Sequence, residues 1–134
     1  MKIAISIIIV FCFLLILTFN SLASETAYSC KVLHVYEPQD DGSLKTSNWD
    51  KQFRDKGFTV SRVTGEIIGQ VIPTLLADST EVIHKGNNEH SFKTIARFKN
   101  QVQLLEVKEF IQGEKKPFVA ISMGGAGIVS GTCK

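Results

Sequence analysis

His84 and His90 stand six positions apart across the polar stretch Gly86-Asn87-Asn88, and they are the residues of this sequence most readily imagined doing chemistry. If the chain folds back symmetrically about Asn87, the two imidazoles face each other, an arrangement that can hold a transition metal or sense pH near neutrality. A metal site needs at least one further ligand. Glu81 and Glu89 are at hand, but their spacing is not diagnostic, so His84 and His90 are weak metal candidates, and exposed histidines beside a turn are the plainer reading. His34 reads as a partly buried histidine satisfied by a backbone carbonyl. Asp40-Asp41 lacks the alternating oxygen ligands and later glutamate of a calcium loop, and together with Pro38 and Gly42 it reads as a solvated turn.

Signatures of catalysis do not occur. There is no G-x-S-x-G elbow and no H-E-x-x-H helix. The glycine run at 124–131 imitates a dinucleotide fingerprint, but Ser130 stands where the third glycine belongs and no helix follows. No cofactor is implied. An enzyme using His34, His84 or His90 with a carboxylate finds no motif to hold the groups together.

The cysteines carry the stronger signal. Residues 1–23 have the form of a signal peptide: Lys2, an apolar block from Ile3 to Phe19, then the small-residue exit Ser21-Leu22-Ala23. The block approaches the roughly 18–20 residues that span a bilayer, so an uncleaved anchor is the rival reading and the one foreseen contact with a membrane. Cleavage after Ala23 leaves 111 of 134 residues and removes Cys12, so that Cys30 and Cys133 remain as an even pair in an exported, oxidising setting. They are expected to bond, closing a loop of about 100 residues and contributing up to about 4.7 kcal/mol in the chain-entropy model. With Lys2 gone, 13 acidic residues face 15 less one basic, a formal charge of +1. No basic stripe is visible, which argues against a nucleic-acid partner.

The elements that must position these residues are mostly strands. Alternating apolar and polar residues bounded by turn chemistry mark eight candidates, at 28–36, 58–63, 66–71, 80–85, 90–98, 101–110, 117–123 and 127–133. In the first, Cys30, Val32, His34 and Tyr36 share one face and Lys31, Leu33 and Val35 the other; neither is clearly wet, so both are expected to be covered. In later strands Phe92, Thr94, Ala96 and Phe98 point one way, as do Leu105 with Val107, and Phe118 with Ala120 and Ser122. Between the first two strands a short helix opens at Ser47 as cap, has Asp50 in its first turn, and ends at Gly57. Trp49 and Phe53, four apart, share one side, and the helix lies as a flap over the sheet with the tryptophan inward. Pro73 makes residues 72–79 irregular, leaving Leu75 and Leu76 tucked under or exposed as a sticky patch.

The fold expected is mainly β, a small antiparallel meander barrel or strongly curved sheet of about eight short strands with one short helix, after an N-terminal signal helix. Residues 24–134 form a single disulfide-closed domain in which first and last strands pair. An α+β domain, with the helix across an open antiparallel sheet, is the alternative. In size, export signal, short-strand layout and terminal cysteine the chain resembles the small periplasmic barrels that inhibit lysozymes, a likeness of architecture in which no motif matches residue by residue. The function expected is that of a non-catalytic binding module, periplasmic or secreted, of the protein-binding or hydrolase-inhibitor type, with Trp49, Phe53, Leu75 and Leu76 as candidate contacts. The alternative is a barrel carrying a small apolar ligand.

Overall fold

A computed structural model describes residues 26–122 and 127–134. The signal segment and residues 123–126 lie outside the described residues. The chain is mainly β, in one antiparallel sheet: β1 Ala27–Pro38, β2 Leu44–Thr46, the short helix α1 Asp50–Phe53, β3 Gly57–Ser61, β4 Ile67–Gly69, β5 Ser79–Lys85, β6 Phe92–Phe98, β7 Gln101–Val107, β8 Lys116–Ser122 and β9 Gly127–Cys133. The strand order is β4-β3-β1-β9-β8-β7-β6-β5, with β2 attached to β1 beside this path. Every neighbour relation of a closed meander is present except one: β4 and β5 do not pair. The result is a curled, open half-barrel rather than a closed one. The one-turn α1 does not cover a sheet face, so the α+β alternative is not realised. Among the described residues no helix is long and apolar enough to cross a membrane.

Alternation puts the large residues on the concave side. Phe92, Thr94 and Ala96 of β6, Gln103, Leu105 and Val107 of β7, and Phe118, Ala120 and Ser122 of β8 are buried. Val32, Val35, Val60 and Val129 join them. Aromatic edges meet faces across this interior, Tyr28 on Phe92 at 5.3 Å and Phe58 on Phe118 at 5.2 Å between centroids. Each such ring taken out of water contributes on the order of 1.5–3 kcal/mol, which makes this packing the main source of stability.

The first and last strands pair as expected. Cys30 lies opposite Cys133, and the two are joined by a disulfide. Beyond it, Ser29 and Lys134 exchange backbone hydrogen bonds of 2.9 and 2.8 Å.

The faces of β1 require correction. The register against β9 shifts between Val32 and His34, a β-bulge that turns the alternation over. Tyr28, Cys30 and Val32 face the core, but after the bulge it is Val35 that does so, while His34 is exposed. The strand therefore has one wet face throughout, and His34 is not a buried histidine. β2 was not foreseen: its three exposed residues, Leu44, Lys45 and Thr46, lack a core face, and only the turn through Gly42 brings them against β1.

On the edge of β1 a gap separates β2 from β3, and the α1 segment fills it. Ser47 N–H donates to Val35 O, Val35 N–H to an Asp50 carboxylate oxygen, Asp55 N–H to Val32 O, and Val32 N–H to Lys56 O. Ser47 is not the cap: Trp49 takes the N-cap position without a side-chain capping bond, and the Ser47 hydroxyl accepts the Trp49 N–H at 3.2 Å just ahead of the helix. The helix ends at Phe53 rather than at Gly57. Asp55, at φ 66°, makes the left-handed turn, and Gly57 already belongs to β3. Trp49 does not point inward either: it is 49% exposed and stacks on Phe53 at 5.7 Å. A four-residue helix cannot turn both a capping region and a large indole toward the core, and the inward place goes to Asp50.

Candidate functional site

Where β4 and β5 fail to pair, residues 70–78 cross the opening. Their path is fixed from several sides. Thr74 N–H donates to Ile67 O, Thr74 Oγ1 accepts the Ile67 N–H at 2.8 Å, Gln103 Nε2 donates to Ile72 O at 2.8 Å, and Asp78 N–H donates to Arg97 O. Ile72 adopts φ 49°, a conformation that a β-branched residue takes up only under strain, here while its side chain is buried. Anchored so, the segment turns its apex outward: Leu75 is 90% and Leu76 86% exposed.

These leucines border an open groove of about 730 Å³, whose opposite side is the Trp49-Phe53 stack and whose floor includes Ile72, Phe98 and Gln103. Trp49, Phe53, Leu75 and Leu76, the four contact candidates of the sequence, come together on this one groove, from segments about 20 residues apart in the chain. An apolar pocket of several hundred cubic ångströms with a few amide groups is of the size and make-up that binds a side chain or a small ligand.

Asp50 holds the tryptophan's side of the groove in place. Its carboxylate is buried and accepts hydrogen bonds from Val35 N–H and from Arg54 Nε at 3.0 Å, with a second contact to the Arg54 guanidinium. Burial pushes the Asp50 carboxyl up, but the Val35 N–H and the Arg54 guanidinium outweigh it and hold it below the usual carboxylate range. A depressed folded value means stability that is present above the unfolded value, near 4, and is lost as pH falls through the folded value. The urea midpoint is therefore expected to decline on acidification below about pH 4, and Asp50→Asn is expected to flatten part of that decline. At neutral pH Asp50→Ala should cost about 2 kcal/mol, because it strands the Val35 N–H and frees the flap. Urea titrations of both variants at several pH values measure each effect.

At the far end of the half-barrel, Tyr28 donates a hydrogen bond to Glu109 Oε2, and the Arg62 guanidinium lies 4.7 Å over the phenol ring. Burial, then the bond to Glu109, push the Tyr28 phenol well above its usual range, so the hydroxyl stays a donor. This group was invisible in the sequence: 81 positions separate the partners, and no spacing announces them. Its chemistry is that of a clamp, since a phenol that stays protonated keeps donating to Glu109. Tyr28→Phe should lower stability by about 1–2 kcal/mol by leaving a half-buried carboxylate oxygen without its donor, as a denaturant midpoint will show.

The histidine pair stands differently from the expectation. The hairpin sets Lys93 opposite His84 and Phe92 opposite Lys85, so its axis falls beyond Asn87 and His84 is not opposite His90. The loop is longer because Asn87 Oδ1 accepts the N–H groups of Glu89 and His90 and builds its own turn. The two exposed rings nevertheless touch, at 5.3 Å and 73°. His84 Nδ1 lies within reach of two local groups, accepting from Gly86 N–H at 3.0 Å in one tautomer or donating to Ser91 O at 3.1 Å in the other. Among the described residues no group of three or more histidine, cysteine, aspartate or glutamate side chains converges to hold a metal. No protein-family model, curated protein or solved structure matches the chain, so its reading rests on its own geometry.

Proposed function

We propose that this chain is an exported, non-catalytic binding module that grips another protein through the groove between the Trp49-Phe53 stack and Leu75-Leu76. One observation carries the reading: two leucines and a tryptophan are held out to solvent by an ordered scaffold whose interior is filled by other residues. Exposed apolar side chains gathered on one concave patch mark interaction sites, and a well-positioned tryptophan is the commonest binding hot spot. A disulfide between the ends of the domain and the apolar N-terminal block are both in keeping with export to the periplasm or the medium. A carrier would need room inside the barrel, whereas Phe92, Phe118 and Val107 occupy the concave face.

The test is capture from an envelope extract by immobilised residues 24–134, alongside the double variant Trp49→Ala/Leu75→Ser. Loss of a hot-spot pair should weaken the captured complex by about 30-fold or more while leaving the melting point nearly unchanged, because both residues face water. Equal capture by the two proteins overturns the reading. So does native mass spectrometry that finds a small apolar molecule retained in place of a protein.

A further inference from the structure

Of the two sheet edges that face each other across the opening, that of β4 is partly taken. The outward N–H and C=O of Ile67 in β4 are taken by Thr74. Among the described residues no strand pairs with the outer edge of β5, and none of its seven residues is fully buried. An unpaired edge of this kind is a ready template for another extended chain.

The opening is also kept from collapsing. At one end the β3–β4 turn rests on β5 and β6, with Thr94 Oγ1 donating to Glu81 O at 2.9 Å and approaching Gly65 O at 3.3 Å. Only glycine fits that turn: Gly65 has φ +77°, and a Cβ there would stand 2.1 Å from Thr94 Oγ1. At the other end stand residues 70–78. Between them lies a slot of about 500 Å³, lined by the apolar residues Ile68, Pro73 and Leu75 and by the polar residues Glu66, Asp78 and Thr80. No lysine or arginine lines it, and neither Glu66 nor Asp78 belongs to an ion pair among the described residues. Leu75 borders this slot and the Trp49 groove alike, so one bound chain can run through both.

We infer that the slot receives an extended peptide segment of alternating apolar and basic residues, which adds a strand to the free edge of β5. The inference rests on the reading of the chain as a protein-binding module and names the mode of binding. Backbone hydrogen bonds to β5 supply the pairing, Ile68 and Leu75 receive the apolar side chains, and Glu66 and Asp78 receive the cationic ones. The bulge between Val82 and His84 breaks the edge and confines pairing to the first half of β5, a stretch of about four residues or roughly 13 Å.

The probe is a capped peptide of about seven residues alternating lysine and valine, added to residues 24–134 and followed by amide hydrogen exchange and chemical shifts. At saturation the outward-facing amides within 79–82 should exchange about tenfold more slowly. N-methylation of the valines should abolish binding, a glutamate–valine peptide should not bind, and Glu66→Lys/Asp78→Lys should weaken binding at least about tenfold with an unchanged melting point. Binding that survives N-methylation, or that perturbs Trp49 without protecting 79–82, overturns strand addition. If capture of an envelope protein still depends on Trp49 and Leu75 while no peptide protects β5, this inference fails and the binding-module reading stands. If capture is indifferent to those two residues, the reading itself fails.

Discussion

Replacing both Cys30 and Cys133 by serine is expected to lower the unfolding free energy by about 4 kcal/mol and the melting point by roughly 15–25 °C. The bond joins residues 103 positions apart and so removes a large part of the unfolded chain's freedom, up to about 4.7 kcal/mol in the entropy model. Two features act on the size of the loss in opposite directions. The β1–β9 ladder continues on both sides of the bond, through Lys31 opposite Thr132 and through the mutual hydrogen bonds of Ser29 and Lys134, so the strands stay together in the folded state without it. Against this, both sulfurs are buried, and serine hydroxyls in their place are polar groups without assigned partners. The double variant is preferable to either single one, whose remaining thiol can cross-link. Thermal melts of the oxidised protein, the reduced protein and the double variant measure the effect. A shift of less than about 3 °C would mean that the ladder alone holds the ends together.

That bond was legible because it needed only counting: an even pair left at the two ends of a β-rich domain. Strand positions were legible for the same kind of local reason, since Phe92, Thr94 and Ala96, or Phe118, Ala120 and Ser122, alternate cleanly against polar neighbours. Three features escaped. The bulge in β1 leaves no trace in composition, because Leu33 and Val35 look alike to a period-two pattern although only Val35 ends up in the core. β2 has no apolar face of its own. The opening between β4 and β5 depends on a backbone choice at Ile72 and Pro73 that local preference disfavours and that tertiary contacts from Gln103 and Thr74 sustain. The four contact candidates lie in two separate segments, Trp49 and Phe53 on a flap whose tryptophan the sequence turns inward, and Leu75 and Leu76 in a stretch that it leaves either tucked under or exposed. Their meeting on one groove follows from that unforeseen opening, which no local pattern announces.

Gly131→Ala is the point substitution expected to damage the fold most, costing about 3 kcal/mol or more. Gly131 lies in β9 opposite Val32, where the β1 bulge begins, and opposite Phe118 of β8 on its other side. A Cβ at this position would stand 2.0 Å from Lys31 O and 2.8 Å from Phe118 Cε1. The aromatic ring could turn aside, but the carbonyl belongs to the backbone of a strand tied down at the neighbouring Cys30 by the disulfide and at Val32 by the hydrogen bonds to Asp55 and Lys56. Relief therefore requires β1 to move away from β9, and that movement breaks the ladder that joins the two halves of the sheet. Phe118→Leu in the same chain should recover little, because it removes only the softer of the two contacts. Thr132→Ala, one residue along and on the outward face, is the matched control and should change stability by no more than about 0.5 kcal/mol. Urea midpoints of the three variants decide the matter: if Gly131→Ala unfolds within about 1 kcal/mol of the parent, the two strands have room that the described close approach denies them.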